Sequence, residues 1–283
     1  MLSKRLVSTA AICLLLGAGT AACGDNKDKS ADKAAAPATA AATTAAATPT
    51  ATPTPTPTVA PLDTDKLTAQ EIEKQAKDAL AAATAFKMSG TIADVDGNMD
   101  MDLAMDNKGQ CKGTMSLPGM GKIEIINDGK ASYMKGDSAF WTAISSKNGG
   151  KDGGKVAELL KGRYLTGFDS DPQMKMMTSF CSLTDFSKQI TDGKTNKAEK
   201  GSPGNINGLK TFSLKVTDDS GELSTLHIAT EGKPYPVRIE TDSAKDGKTT
   251  INLTDFDKPL TVQAPPADNT IDFSKFKDQI KTA

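Results

Sequence analysis

The sequence predicts an α+β fold: one curved antiparallel sheet of about nine to eleven strands, its concave face covered by helices. Three observations predict it. Short runs alternate apolar and polar residues between Met99 and Ile144 and again between Leu209 and Phe256. Turns rich in Gly, Asn and Asp separate these runs, which joins neighbours as an antiparallel meander. Two stretches of helical period, near 69–85 and 155–190, supply material to cover one face.

The chain has 283 residues, and its N-terminal part is read as an address and not as part of the fold. Lys4 and Arg5 precede the apolar run LVSTAAICLLL, which is too short to span a bilayer and is followed by small residues, the layout of an export signal over 1–22. Thr20-Ala21-Ala22-Cys23 resembles the lipobox of bacterial lipoproteins, in which the cysteine receives a diacylglyceryl group and becomes the mature N-terminus. Two acyl chains anchor a protein stably where one does not. The competing reading is an ordinary secretory signal with Cys23 incidental. Residues 23–65 are an Ala/Thr/Pro-rich tether, read as disordered because they hold hardly any large apolar side chain; PTATPTPTPTVAP from Pro49 favours extended polyproline II. Fully extended, such a tether reaches on the order of 120 Å. Residues 66–283 are left for the folded domain, enough for a substantial core. The formal charge is −1, and it becomes −3 when 1–22 is removed with its two cations, so no basic stripe calls for nucleic acid.

The first ordered element is LTAQEIEKQAKDALAAATAF. Thr68 and Glu71 form a capping box, and Ile72, Ala76, Ala79, Leu80, Ala83 and Phe86 follow at helical spacing, which predicts an amphipathic helix over 69–85. NMDMDLAMD then places Met99, Met101, Leu103 and Met105 on one face and Asp100, Asp102 and Asp106 on the other. CKGTMSL, KIEIIND, ASYMKG and SAFWTAI read as further strands. Asp96-Gly97 is read as a hairpin turn in preference to a calcium loop, because Gly97 directly follows the second Asp and no Glu stands at the required spacing. GGKDGGKV, from Gly149 to Val156, nearly meets the phosphate-loop pattern, but Val156 replaces the hydroxyl that holds magnesium, so a surface loop is expected. The insert over 155–190 reads as largely helical, with Pro172 at a helix start. Strands resume at LKTFSLKVTDD, ELSTLHIAT, YPVRIETDS and KTTINLTDF, and a short helix near IDFSKF closes the chain.

No catalytic constellation is legible. His227 is the one histidine, alternating with Leu226 and Ile228 and so facing solvent; no nucleophile elbow, zinc motif or cofactor signature is present, and neither a cofactor nor a metal is expected. Paired carboxylates of a hydrolase stay open, since their proximity is unreadable. Cys111 and Cys181 remain after export and are read as a disulfide, the alternative being two free thiols. Apart from Met1, all ten methionines fall between Met88 and Met177. Methionine suits an apolar surface that accepts variable shapes, although ordinary core filling accounts for it equally. The candidate lining of a hydrophobic pocket between sheet and helices is Met99, Met101, Leu103, Met105, Met115, Ile125, Phe140, Met174 and Met177.

The lipobox, the tether, the leading helix, GQCKGTMSL, ATEGKPYPVRIE and the closing NLTDFDKPLTVQAPPAD together resemble actinobacterial lipoproteins of the LppX/LprG type, which have the LolA-like fold. The resemblance covers roughly 66–270. It implies an unclosed antiparallel barrel with helices as a lid, holding acyl chains of lipids or glycolipids and carrying them between membrane and envelope. The expected function is that of a non-enzymatic lipoprotein on the extracytoplasmic face of the cell membrane, binding a hydrophobic ligand for transport or sensing. Its partners would be the membrane, the lipid and an envelope transporter or receptor. The alternative is a protein-interaction or regulatory module with a closed core, meeting its partner through loops such as 146–155.

Overall fold

The computed structural model describes residues 60–147, 153–169, 171 and 178–275. Cys23, Met174, Met177, the 1–22 signal, the tether up to Val59, Pro172 and loop residues 148–152 lie outside the described residues.

The described strands form one unclosed sheet of twelve, slightly more than expected. In chain order they are β1 (Ala85–Ile92), β2 (Met99–Asp106), β3 (Gln110–Leu117), β4 (Gly121–Asp128), β5 (Ser132–Gly136), β6 (Tyr164–Thr166), β7 (Thr195–Ile206), β8 (Leu209–Asp218), β9 (Leu223–Ala229), β10 (Pro236–Ser243), β11 (Gly247–Thr254) and β12 (Thr270–Asp272). Their spatial order is β12-β6-β5-β4-β3-β2-β1-β11-β10-β9-β8-β7. All pairs are antiparallel except β12 with β6. Two meanders, β1 to β5 and β7 to β11, thus meet at one seam, where β1 pairs with β11. Short turns make each meander local; the seam joins residues about 160 apart in sequence and is closed by apolar burial.

Helix α1 (Ala69–Ala81) begins as expected. The Thr68 hydroxyl accepts from the Glu71 N–H, and Glu71 accepts in return from the Thr68 N–H. It ends four residues early, however, because the residues from Ala85 on pair with β2, and from Lys87 also with β11, and that ladder replaces the helical one. SAFWTAI is also not a strand. It is helix α2 (Ser138–Lys147), capped by Asp137, whose Oδ1 accepts from the Phe140 N–H at 2.8 Å. Phe140 and Trp141 are adjacent and both buried, which a helix allows and a half-buried strand does not.

The insert is mixed where a helical one was expected. Helix α3 (Gly153–Leu159) leads into β6, and a 3₁₀ turn (Ser179–Cys181) leads into helix α4 (Leu183–Thr191). Asp96-Gly97 forms the predicted hairpin turn, with the Gly97 N–H donating to the Asp94 carbonyl at 2.9 Å. Of the short closing helix, Phe273 to Lys275 are helical.

One face of the sheet carries the core. Its middle row runs Leu253, Met88, Leu103, Gly113, Ile125, Met134, Leu165 across β11, β1, β2, β3, β4, β5 and β6, each residue opposite the next. A second row runs Ile251, Gly90, Met101, Met115, Ile123, Gly136. The glycines let the sheet bend inward at these points. A Cβ at Gly113 would lie 2.0 Å from the Asp102 carbonyl oxygen, and one at Gly136 would lie 2.3 Å from the Phe140 ring. A smaller apolar cluster joins Ile72 and Ala76 of α1 to Phe212, Leu214, Leu226 and Ile228.

Candidate functional site: an apolar concave face under a helical roof

The sheet rows make a floor and the helices a roof. Met101, Leu103, Met105, Met115 and Ile125, all expected from alternation, are buried on the floor, and Phe140 is buried in the roof above Gly136. Met99 is partly buried at the rim. Met88, Met134, Leu165 and Leu253, outside the expected lining, are buried on the same face. Met134 follows from alternation in ASYMKG; Met88 does not, because the helix expected over 69–85 leaves the residues just after it without an assigned element. Phe86, Phe168 and Trp141, also buried, complete the described enclosure.

The roof has three attachments to the floor. From α1 comes Leu80, which joins the floor cluster. From α2 come Phe140 and Trp141, in edge contact with ring centroids 4.9 Å apart. From α4 comes the stripe Leu183, Phe186, Ser187, Ile190, at helical spacing, with Phe186 against Phe86 at 5.4 Å. A disulfide between Cys111 and Cys181 ties this last element down: Cys111 lies beside Met105 on the floor and Cys181 just before α4.

Polar groups hold the margins. Between α1 and α4 a cleft of about 200 Å³ opens on the concave side over Val216, Leu226 and Ile239. Its wall carries Glu73 and Lys77, paired at 2.9 Å; Lys77 also donates to the Gly193 carbonyl, and the Thr195 hydroxyl donates to Glu73. A larger cleft, about 380 Å³, lies over Thr114, Lys122, Glu124 and Lys135, which alternation places on the outer face. There the Tyr164 hydroxyl donates to Glu124 at 2.7 Å, and Lys135 pairs with Glu124 at 2.6 Å. Burial opposes ionisation of the Glu124 carboxyl, but the hydrogen bonds from Lys135 and Tyr164 outweigh it and hold its pKa below the usual range. Burial, reinforced by the Glu124 carboxylate, pushes the Tyr164 hydroxyl up. His227 lies on the outer face as expected, half-buried, with Nε2 3.2 Å from Glu240. Among the described residues no cluster of three or more metal-ligating side chains occurs, and no helix is long and apolar enough to cross a membrane.

No family model matches the sequence, and no curated protein matches it. Solved structures do show a likeness to it. LprF from Mycobacterium bovis is 16% identical over 70% of this chain and 97% of its own, with a TM-score of 0.48. The lipoprotein LppX from Mycobacterium tuberculosis is 17% identical over 69% of this chain and 98% of its own, with a TM-score of 0.44. A LolA-superfamily protein from Nitrosomonas europaea is 12% identical over 71% of this chain and 96% of its own, with a TM-score of 0.24. Each of these three likenesses runs over nearly the whole of the neighbour's own length.

Proposed function

We propose that this protein is an exported, non-enzymatic lipoprotein, anchored to the extracytoplasmic face of the cell membrane through Cys23, that binds a lipid or other hydrophobic ligand between its concave face and its roof for transport or sensing. One observation carries the reading. The middle floor row crosses seven strands without a single polar side chain, and the rows beside it add Met101, Met105 and Met115. Flexible thioethers repack at little strain, so this floor tolerates exchange of roof contacts for an acyl chain. Each methylene buried contributes about 0.8 kcal/mol, enough for one long chain to bind without a charged or catalytic contact. The anchor and tether would place such a carrier within reach of a membrane and of an envelope transporter or receptor.

A second reading draws support from the same burial. Phe140, Trp141 and Leu183 already meet the floor, as the closed core of a protein-interaction module would. One experiment separates the two. The full-length chain with Cys23→Ser carries no covalent acyl group, so native mass spectrometry of this variant should show a co-purified lipid that organic extraction removes. A uniformly ligand-free protein that takes up no added lipid would sink the carrier reading and leave the interaction module.

A further inference from the structure

The cleft of about 380 Å³ on the outer face is built from the opposite side of the sheet to the apolar floor, and its chemistry is the reverse of the floor's. Thr114, Glu124 and Lys135 stand side by side on β3, β4 and β5, each opposite the next in register, with Lys122, Gly136 and Asp137 beside them in the lining. The buried Tyr164 fixes two of these groups. Its hydroxyl donates to Glu124 Oε1, and Lys135 Nζ, which pairs with Glu124 Oε2, lies 4.5 Å from its ring centre. Asp137 is fixed as well, since its two oxygens accept from the Phe140 and Lys122 N–H groups at 2.8 and 3.0 Å.

Charge narrows the occupant first. Two ammonium groups, Lys122 and Lys135, stand against two carboxylates, Glu124 and Asp137, so the cleft gives neither an anion nor a cation a net attraction. Hydrogen-bond capacity narrows it further. Among the described residues Lys122 Nζ and the Thr114 hydroxyl have no hydrogen-bond partner, and Lys135 has used two of its three donors, on Glu124 and on the Tyr164 hydroxyl. Each oxygen of Glu124 and Asp137 has accepted one bond and keeps a second lone pair. Spare donors and spare acceptors therefore sit on neighbouring strands, in side chains already held in place. A hydroxyl both donates and accepts, so a neutral ligand with hydroxyls on adjacent carbons answers both sets at once. The methylene stems of the two lysines give the C–H face of a sugar ring an apolar rest.

The geometry points to a neutral saccharide bound in this cleft by Thr114, Lys122, Glu124 and Lys135, a second binding surface apart from the concave face and independent of the carrier reading. Such a saccharide belongs either to a free polysaccharide chain or to the headgroup of a glycolipid.

The test presents the full chain with Cys23→Ser to an array of lipid-free neutral, acidic and amino oligosaccharides. Neutral oligosaccharides should retain it, and titration with the best of them should leave an apolar dye bound to the concave face. Lys122→Ala combined with Thr114→Val, an exposed lysine and a swap of like shape, should weaken that binding about tenfold, two lost hydrogen bonds' worth. Lys130→Ala, in the exposed turn after β4, should leave it unchanged. Retention by no class, retention by the acidic or amino class alone, or equal binding by parent and double variant would overturn the site. A saccharide bound only when carried on a glycolipid, with the dye displaced, would overturn it too and assign the sugar to the concave face. A parent chain that binds the oligosaccharide and never the dye would remove the carrier reading and leave the saccharide site standing.

Discussion

Asp257 shows how much a single side chain organises. Its Oδ1 accepts from the backbone N–H and the hydroxyl of Thr84, at 2.9 and 3.1 Å, and its Oδ2 accepts from Lys233 and the Tyr235 hydroxyl, both at 2.6 Å. Its own N–H donates to the Ala85 carbonyl, and the Tyr235 ring stacks on Phe256 at 3.9 Å. The cluster therefore locks the start of β1 to the segment after β11. Burial opposes the charge on Asp257, but the four hydrogen bonds outweigh it and hold the carboxyl well below the aspartate range. A folded pKa below the unfolded value, about 3.9, contributes stability that is whole above that value and is lost as pH falls toward the folded one. Asp257→Asn keeps a residue tolerant of the left-handed backbone (φ 58°) and should lower unfolding free energy by about 2 kcal/mol at pH 7. The gap between parent and variant should narrow from pH 5 down to pH 2 in urea titrations; a gap constant over that range would refute the assignment. The motifs EGKPYPVRIE and NLTDFDKPL contribute Lys233 and Tyr235, and Phe256 and Asp257, to this one cluster. Each is legible in the sequence as a motif, yet their meeting is not, since no local pattern encodes a contact across more than 20 residues.

At the scale of elements, the floor owes its bend to positions without side chains. Gly113 has the Asp102 carbonyl where a Cβ would go, whereas Gly109, in the β2–β3 turn, has open space around it and a φ of 80°. Gly113→Ala should destabilise the protein by about 3 kcal/mol and Gly109→Ala by only about 1. Urea midpoints at unchanged slope measure this, and equal losses at the two sites would show that close backbone approach does not set the bend. Legibility of elements followed periodicity. Strands β2, β3 and β4 alternate cleanly and were readable to within a few residues. Strand β7 was invisible: of its twelve residues only Ala198 is buried, and Gly201, Pro203 and Gly204 argue against a strand, so its conformation is borrowed from β8. Helix α2 reads as a strand because Phe140, Trp141, Thr142 and Ile144 have good strand propensity, while the deciding residue, Asp137, acts as a cap and not through hydrophobicity. Most of the buried apolar residues on β2 to β4 thus follow from alternation, and those on β1 and β11 do not.

For the whole molecule, the disulfide is the one covalent tie between floor and roof among the described residues. It closes a loop of sequence separation 70, and replacing both cysteines by serine should cost roughly 4 kcal/mol. Loss should fall first on α4: amide exchange there should accelerate well before exchange in β2 to β4, and uniform acceleration would mean that the bond supports the fold generally and not the roof. The even cysteine count made the bond readable; which helix it fastens was not, because the 3₁₀ turn carrying Cys181 has no periodic signature.

The seam between β1 and β11 also sets a timetable for biosynthesis. A chain made from its N-terminus holds β1 early, but the partner that covers its second flank, Gly247–Thr254, emerges only about 160 residues later. Until then Ala85–Ile92 offers a raw, greasy ladder to any neighbouring nascent copy. Stop codons or stalls shortly before Gly247 should therefore yield inclusion bodies and not a smaller working unit, and the organism must escort the unfinished polypeptide until Gly247–Thr254 is in place.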